Sequence, residues 1–61
     1  MYAILIHHYN GQAELNPEIY TIRRLAEQMA DDLTRQVQAD ELMRGDLMAR
    51  SFAEVIEVRM A

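Results

Sequence analysis

Asn16-Pro17-Glu18-Ile19-Tyr20-Thr21-Ile22-Arg23-Arg24-Leu25-Ala26-Glu27-Gln28-Met29-Ala30-Asp31-Asp32-Leu33-Thr34-Arg35-Gln36-Val37 is the stretch on which the fold turns. It opens with three agreeing helix-start signals: an amide side chain able to cap, a proline at the first helical position where its missing N–H costs nothing, and an acid near the positive end of the helix dipole. Ile19, Ile22, Ala26, Met29, Leu33 and Val37 then recur at spacings of three and four, which lays them along one stripe of an α-helix of about 21 residues, roughly 32 Å long. The opposite face carries Arg24, Glu27, Gln28, Asp31, Asp32 and Arg35 and reads as solvated. Asp31 and Arg35 stand there in the favourable acid-before-base i,i+4 order, worth about 0.2–0.5 kcal/mol.

Beyond Val37 the same stripe would bury Asp40, Glu41 and Arg44, so the spacing predicts a break near Gln38 to Asp40. Asp40 would then cap a second, shorter helix reaching Ala49, with Leu42, Met43 and Leu47 as its apolar residues and Gly45 weakening it by ~1 kcal/mol.

The flanks read as strands. Tyr2 to Tyr9 is rich in aromatic and β-branched residues and runs into Asn10-Gly11, a strong turn dipeptide; Gly11 to Leu15 reads as a short loop. Ile4 and Ile6 point one way and Leu5 the other, as expected of a central strand buried on both faces. At the far end, Phe52, Ile56, Val58 and Met60 share a face with Glu54, while Ala53, Val55, Glu57 and Arg59 share the other. The expected fold is therefore a single α+β domain over residues 1–61, ordered strand, long helix, short helix, strand. Two strands alone are marginal in water, which points to a sheet completed across a homodimer or higher oligomer.

Composition narrows the chemistry. With 61 residues, the chain buries only about 60% of the surface it exposes when unfolded, and with no cysteine it has neither a disulfide nor a thiolate zinc site. The net charge of −4 opposes binding to nucleic acid or anionic membranes. Every basic residue is arginine, so a Schiff-base lysine and a phosphate-loop lysine are both excluded. Ser51 is the single serine and lacks a glycine-flanked elbow; Gly11 and Gly45 are too far apart for a dinucleotide fingerprint. No apolar stretch is long enough to span a bilayer and no secretion pattern is visible, which makes a cytoplasmic protein the expectation.

Few residues suggest a site. His7 and His8 are adjacent on a strand, so their imidazoles face opposite sides and cannot chelate one metal; no metal or cofactor is expected. Arg23 and Arg24 are the densest positive spot and could grip an anion, although Glu27 is placed to pair with them. Arg44-Gly45-Asp46 spells an adhesion tripeptide, a match frequent by chance. Met29, Met43, Met48 and Met60 are many for so short a chain and suit either a core or a surface that repacks on a partner.

In length and in strand, helix, strand order the chain resembles the small tautomerases of the 4-oxalocrotonate type, whose subunits assemble into oligomers. Those enzymes use an amino-terminal proline as base. Here Met1 is followed by Tyr2 and the one proline, Pro17, is internal, so no functional residue carries over. The favoured expectation is an acidic protein-protein interaction module that modulates or inhibits a host protein and is encoded by a phage or mobile element. Its partner surface is expected on Glu27, Asp31 and Asp32 or on Leu42, Met43 and Leu47. The alternative is a small oligomeric enzyme whose intersubunit site is built from His7, His8, Tyr9 and an arginine.

Overall fold

The computed structural model describes residues 1–45 and 50–59. They form an α+β fold of four elements: β1 (Tyr2–His7), β2 (Ala13–Leu15), α1 (Arg23–Met43) and β3 (Phe52–Glu57). The strands make one antiparallel sheet in the order β2-β1-β3, which places β1 at the centre as its two-sided apolar pattern implies.

A third strand appears where a loop was expected. His8 N–H donates to the Gln12 carbonyl at 2.8 Å and Gly11 N–H to the His8 carbonyl at 3.0 Å. Tyr9-Asn10-Gly11 is thus a three-residue hairpin loop whose glycine, at φ +92°, takes the left-handed conformation that such a loop requires. The chain returns as β2 in the register Leu5 opposite Leu15, Ile6 opposite Glu14 and His7 opposite Ala13. The three residues Ala-Glu-Leu were too few to show a period in the sequence. The sheet accordingly reaches three strands within one chain.

The helix begins at Arg23, not at Pro17. Asn16 Oδ1 does accept a hydrogen bond from the N–H two residues on, that of Glu18, at 3.2 Å, but the bond closes an Asx turn. Tyr2 and Tyr20 then exchange backbone bonds of 2.7 and 2.8 Å, which hold the segment extended and continue the edge begun by β2. Ile22 is the N-cap, in extended conformation and with no side-chain bond to the helix. Ile19 and Ile22, expected on the buried stripe, are instead 48% and 53% exposed.

At its other end α1 does not break near Gln38. It continues to Met43, and Asp40 to Met43 belong to it and not to a second helix. The stripe continues too, from Ala26 and Ala30 through Leu33 and Val37 to Glu41, so an acid occupies the next inward position. Arg44 N–H donates to Asp40 O and Gly45 N–H to Leu42 O, with Gly45 at φ +86°. Gly45 is therefore a C-terminal stop and not a flaw inside a helix. The proposed remainder of the short helix, 46–49 with Leu47 and Met48, lies outside the described residues, as does Met60.

α1 runs antiparallel to β3 and packs chiefly on it, less on β1. Arg23 lies beside Glu57 and Val55, Thr34 beside Ala53, and Gln38 beside Ser51. By register, Tyr2, Ile4 and Ile6 share their face with Ala53, Val55 and Glu57, the side on which α1 lies. The core is made of small side chains. Ala3, Ile4, Ala26 and Ala30 are its buried hydrophobic residues among those described. Ala26 and Ala30 let the helix approach the strands closely, but they remove little apolar surface from water.

Candidate functional site

Helical periodicity places Glu27, Asp31 and Asp32 on the outer face of α1, away from Ala26 and Ala30, while Glu41 falls on the inward stripe. Arg23 Nε donates to Glu27 Oε1 at 3.0 Å, the pairing its i,i+4 spacing suggests. Arg35 was expected to pair with Asp31. It turns instead to Asp32, one residue closer at i,i+3, with Nη1 3.9 Å from Oδ1. Both pairs are well exposed, so each contributes at most about 1 kcal/mol. Glu27, Asp31, Asp32, Arg23 and Arg24 are all exposed, and they form a wet, mixed-charge face with an acidic centre.

The end of the helix is different. Gln38 Nε2 donates to the Ser51 carbonyl at 3.0 Å, and residues after Gln38 lie past the start of β3, with no strand beneath them among the described residues. Leu42 is 59% exposed there and Met43 89%, the largest apolar exposure in the described chain. One position back, Glu41 is 4% exposed, and neither carboxylate oxygen has a hydrogen-bond partner among the described residues. Sequence reasoning treated Glu41 as a stripe breaker because a buried carboxylate is costly to desolvate. The spacing itself, four residues after Val37, was the signal that could have placed it.

The two histidines do face opposite sides. His7 stacks on Phe52 with ring centroids 4.8 Å apart, and its Nε2 is 3.5 Å from Glu54 Oε1, in ion-pair reach but without hydrogen-bond geometry. His8 Nε2 meets Glu14 Oε2 at 3.3 Å on the other face. Tyr9 donates its backbone N–H to Ser51 Oγ at 3.0 Å, which gives the buried serine a structural task. The structure therefore does not bring His7, His8 and Tyr9 together around one point. No three His, Asp or Glu side chains gather in metal-binding geometry among the described residues.

Arg23 lines a cleft of about 80 Å³ together with Tyr2, Val55 and Glu57. Ligand sites commonly occupy several hundred Å³, and an anion entering here would meet the Glu57 carboxylate beside an arginine already paired to Glu27. Tyr20 was overlooked in the sequence as a polar anchor. Its hydroxyl donates to Glu18 Oε2 at 2.6 Å. That bond, then partial burial and the nearby negative charge, hold the phenol above its ordinary value of 10.0. No helix among the described residues is long and apolar enough to cross a membrane. In comparisons with known proteins, no family model, curated protein or solved structure matches this chain.

Proposed function

We propose that this chain is a protein-protein interaction module that engages its partner with the outer face and the overhanging end of α1. The observation that carries the reading is the exposure of Leu42 and Met43, 59% and 89%, on the last turn of α1, past the start of β3. A thioether side chain adapts its shape to a facing surface, and an apolar side chain this exposed gains most by being covered. Glu27 and Asp31 stand on the same helix as a source of long-range attraction for a basic partner. Such charges act on the rate of encounter, whereas buried apolar anchors act on the lifetime of the complex.

The test separates those two contributions. Affinity capture followed by mass spectrometry supplies the partner, and surface plasmon resonance at two salt concentrations then compares variants. Leu42→Ala should speed dissociation by about tenfold or more without changing salt dependence. Asp31→Asn with Asp32→Asn should slow association and flatten its salt dependence, since attraction beyond the ~8 Å Debye length is screened at physiological ionic strength. Unchanged kinetics in both variants would remove α1 from the binding surface.

A further inference from the structure

We propose that the sheet face turned away from α1 is the docking surface for a second copy of this chain, packed sheet against sheet. The inference stands apart from the helix reading, because it uses none of the same residues. By register this face carries Ala3, Leu5 and His7 from β1, Ala13 and Leu15 from β2, and Phe52, Glu54 and Ile56 from β3. An antiparallel sheet with one wet face presents polar side chains there. Here four of those eight are large and apolar, with Leu15 56% and Phe52 46% exposed around the small, buried Ala3, and the charged contact among the described residues of this face is His7 with Glu54.

The dimensions point to one further copy. A folded monomer of 7.1 kDa presents about 4,100 Å² of accessible surface by the usual scaling. This chain presents 4818 Å², about 700 Å² more. Each side of a standard protein interface buries about 800 Å², the same size as that excess. The shape agrees. The principal extents are 42 × 20 × 14 Å, a slab whose long axis raises the radius of gyration to 12.4 Å, against about 10.5 Å for a compact domain of this length, and whose thinnest dimension is 14 Å. Two such slabs joined through their apolar faces, sheets about 10 Å apart, acquire the side-chain layer that one slab lacks.

The other ways of pairing two copies are poorer. The outer edge of β3 is occupied by α1, which bonds Ala53 through Thr34 and Ser51 through Gln38. The outer edge of β2 offers only Ala13–Leu15 before the chain reaches Pro17, which has no N–H to add to a ladder. Charge favours the face as well. Each chain carries a net charge of −4, yet Glu27, Asp31 and Asp32 sit on α1, across the sheet from this surface. A face-to-face dimer keeps those acids outermost and far apart, and the shared face brings in one histidine and one glutamate from each copy.

Sedimentation equilibrium on the whole chain, over low micromolar to millimolar concentration, reads the outcome. The expected result is a monomer-dimer equilibrium that Leu15→Glu and Phe52→Glu each weaken by tenfold or more, while Leu42→Asp leaves it unchanged. Because a face variant could also fail to fold, a second measurement uses the native sequence. In a mixture of isotope-labelled and unlabelled chains, intermolecular nuclear Overhauser effects should appear at the Leu5, Leu15 and Ile56 methyl groups. A chain that stays monomeric at millimolar concentration overturns the proposal. So does a dimer whose intermolecular contacts fall on Leu42 and Met43, or on Ala13 without Ile56, because those would mark the helix end or the β2 edge.

Discussion

Along the outer side of β3, Ala53 N–H reaches Thr34 Oγ1 at 2.9 Å and the Ser51 carbonyl receives Gln38 Nε2 at 3.0 Å, so two side chains one helical turn apart stand in for a neighbouring strand. Among the described residues the outer side of β2 has no such cover. His8, Ile4 and Tyr2 of the central strand bond in that direction to Gln12, Asn16 and Tyr20, which leaves Ala13 and Leu15 with backbone groups pointing outward. That second edge is limited by brevity, with an Asx turn and a proline directly after it. An exposed edge invites pairing with another chain unless it is covered, twisted or short. This chain covers one edge and shortens the other, and the covered edge is the one whose loss should cost the fold most.

The largest effect expected is that of Ala30→Pro. Ala30 is mid-helix and 5% exposed, so a proline there removes a helix bond, collides with the preceding turn and lifts α1 from β3 at a cost of about 3 kcal/mol or more. Circular dichroism melts should show the cooperative transition lost or sharply lowered. A near-native melt would mean that β3 does not depend on the helix for its outer side.

Thr34→Val tests a single contact on that edge. It keeps the shape of the side chain but removes the acceptor of the Ala53 N–H, and an unmet part-buried donor costs about 1–3 kcal/mol. Urea titration should show the loss, and Thr34→Ser should recover most of it. If valine proved neutral, helix packing alone would be protecting the edge.

The smallest effect belongs to the short edge. Glu18→Gln weakens the acceptor of the Tyr20 hydroxyl, on the residue that resumes pairing with Tyr2. The phenol is held above 10.0 by that bond, so whatever stability it adds is complete below pH 10 and is lost as the pH rises through the elevated value. Ultraviolet titration should find the Tyr20 transition of the variant moved down toward 10.0. An unmoved transition would detach Tyr20 from Glu18 and leave the backbone bridge to Tyr2 as the sole tie at that point.

The same contrast explains what could be read in advance. β1, its turn at Asn10-Gly11, the position of β3 and a helix of the right length were legible because each rests on local periodicity or local turn chemistry. The helix start was not. An asparagine bonding to the N–H two residues ahead serves an Asx turn as well as a helix cap, and the choice was made by Tyr2, distant in sequence, through its bridge to Tyr20. The helix end was misjudged because Glu41 is an acid at an apolar position, and local polarity was allowed to outweigh spacing. On the candidate surface, Arg23 and Glu27 were paired correctly by spacing. Asp32 displaced Asp31 as partner of Arg35, since i,i+3 and i,i+4 neighbours are nearly equidistant on a helix.

The order of strands across the sheet also fixes the order in which the molecule can be assembled. β1 is central, and its two neighbours lie at very different distances along the chain: Leu5 meets Leu15 across a tight hairpin, but meets Glu54 only after α1 has intervened. The hairpin closes a short loop and can form on the microsecond scale, whereas joining β3 to β1 closes a loop many times longer and is the slow, entropy-limited step. Until that step, Ala26 and Ala30 have no β3 to pack on and the hairpin exposes the outer edge of its first strand. During synthesis the chain is thus most open to wrong pairings in the interval between completion of the helix and emergence of Phe52 to Glu57.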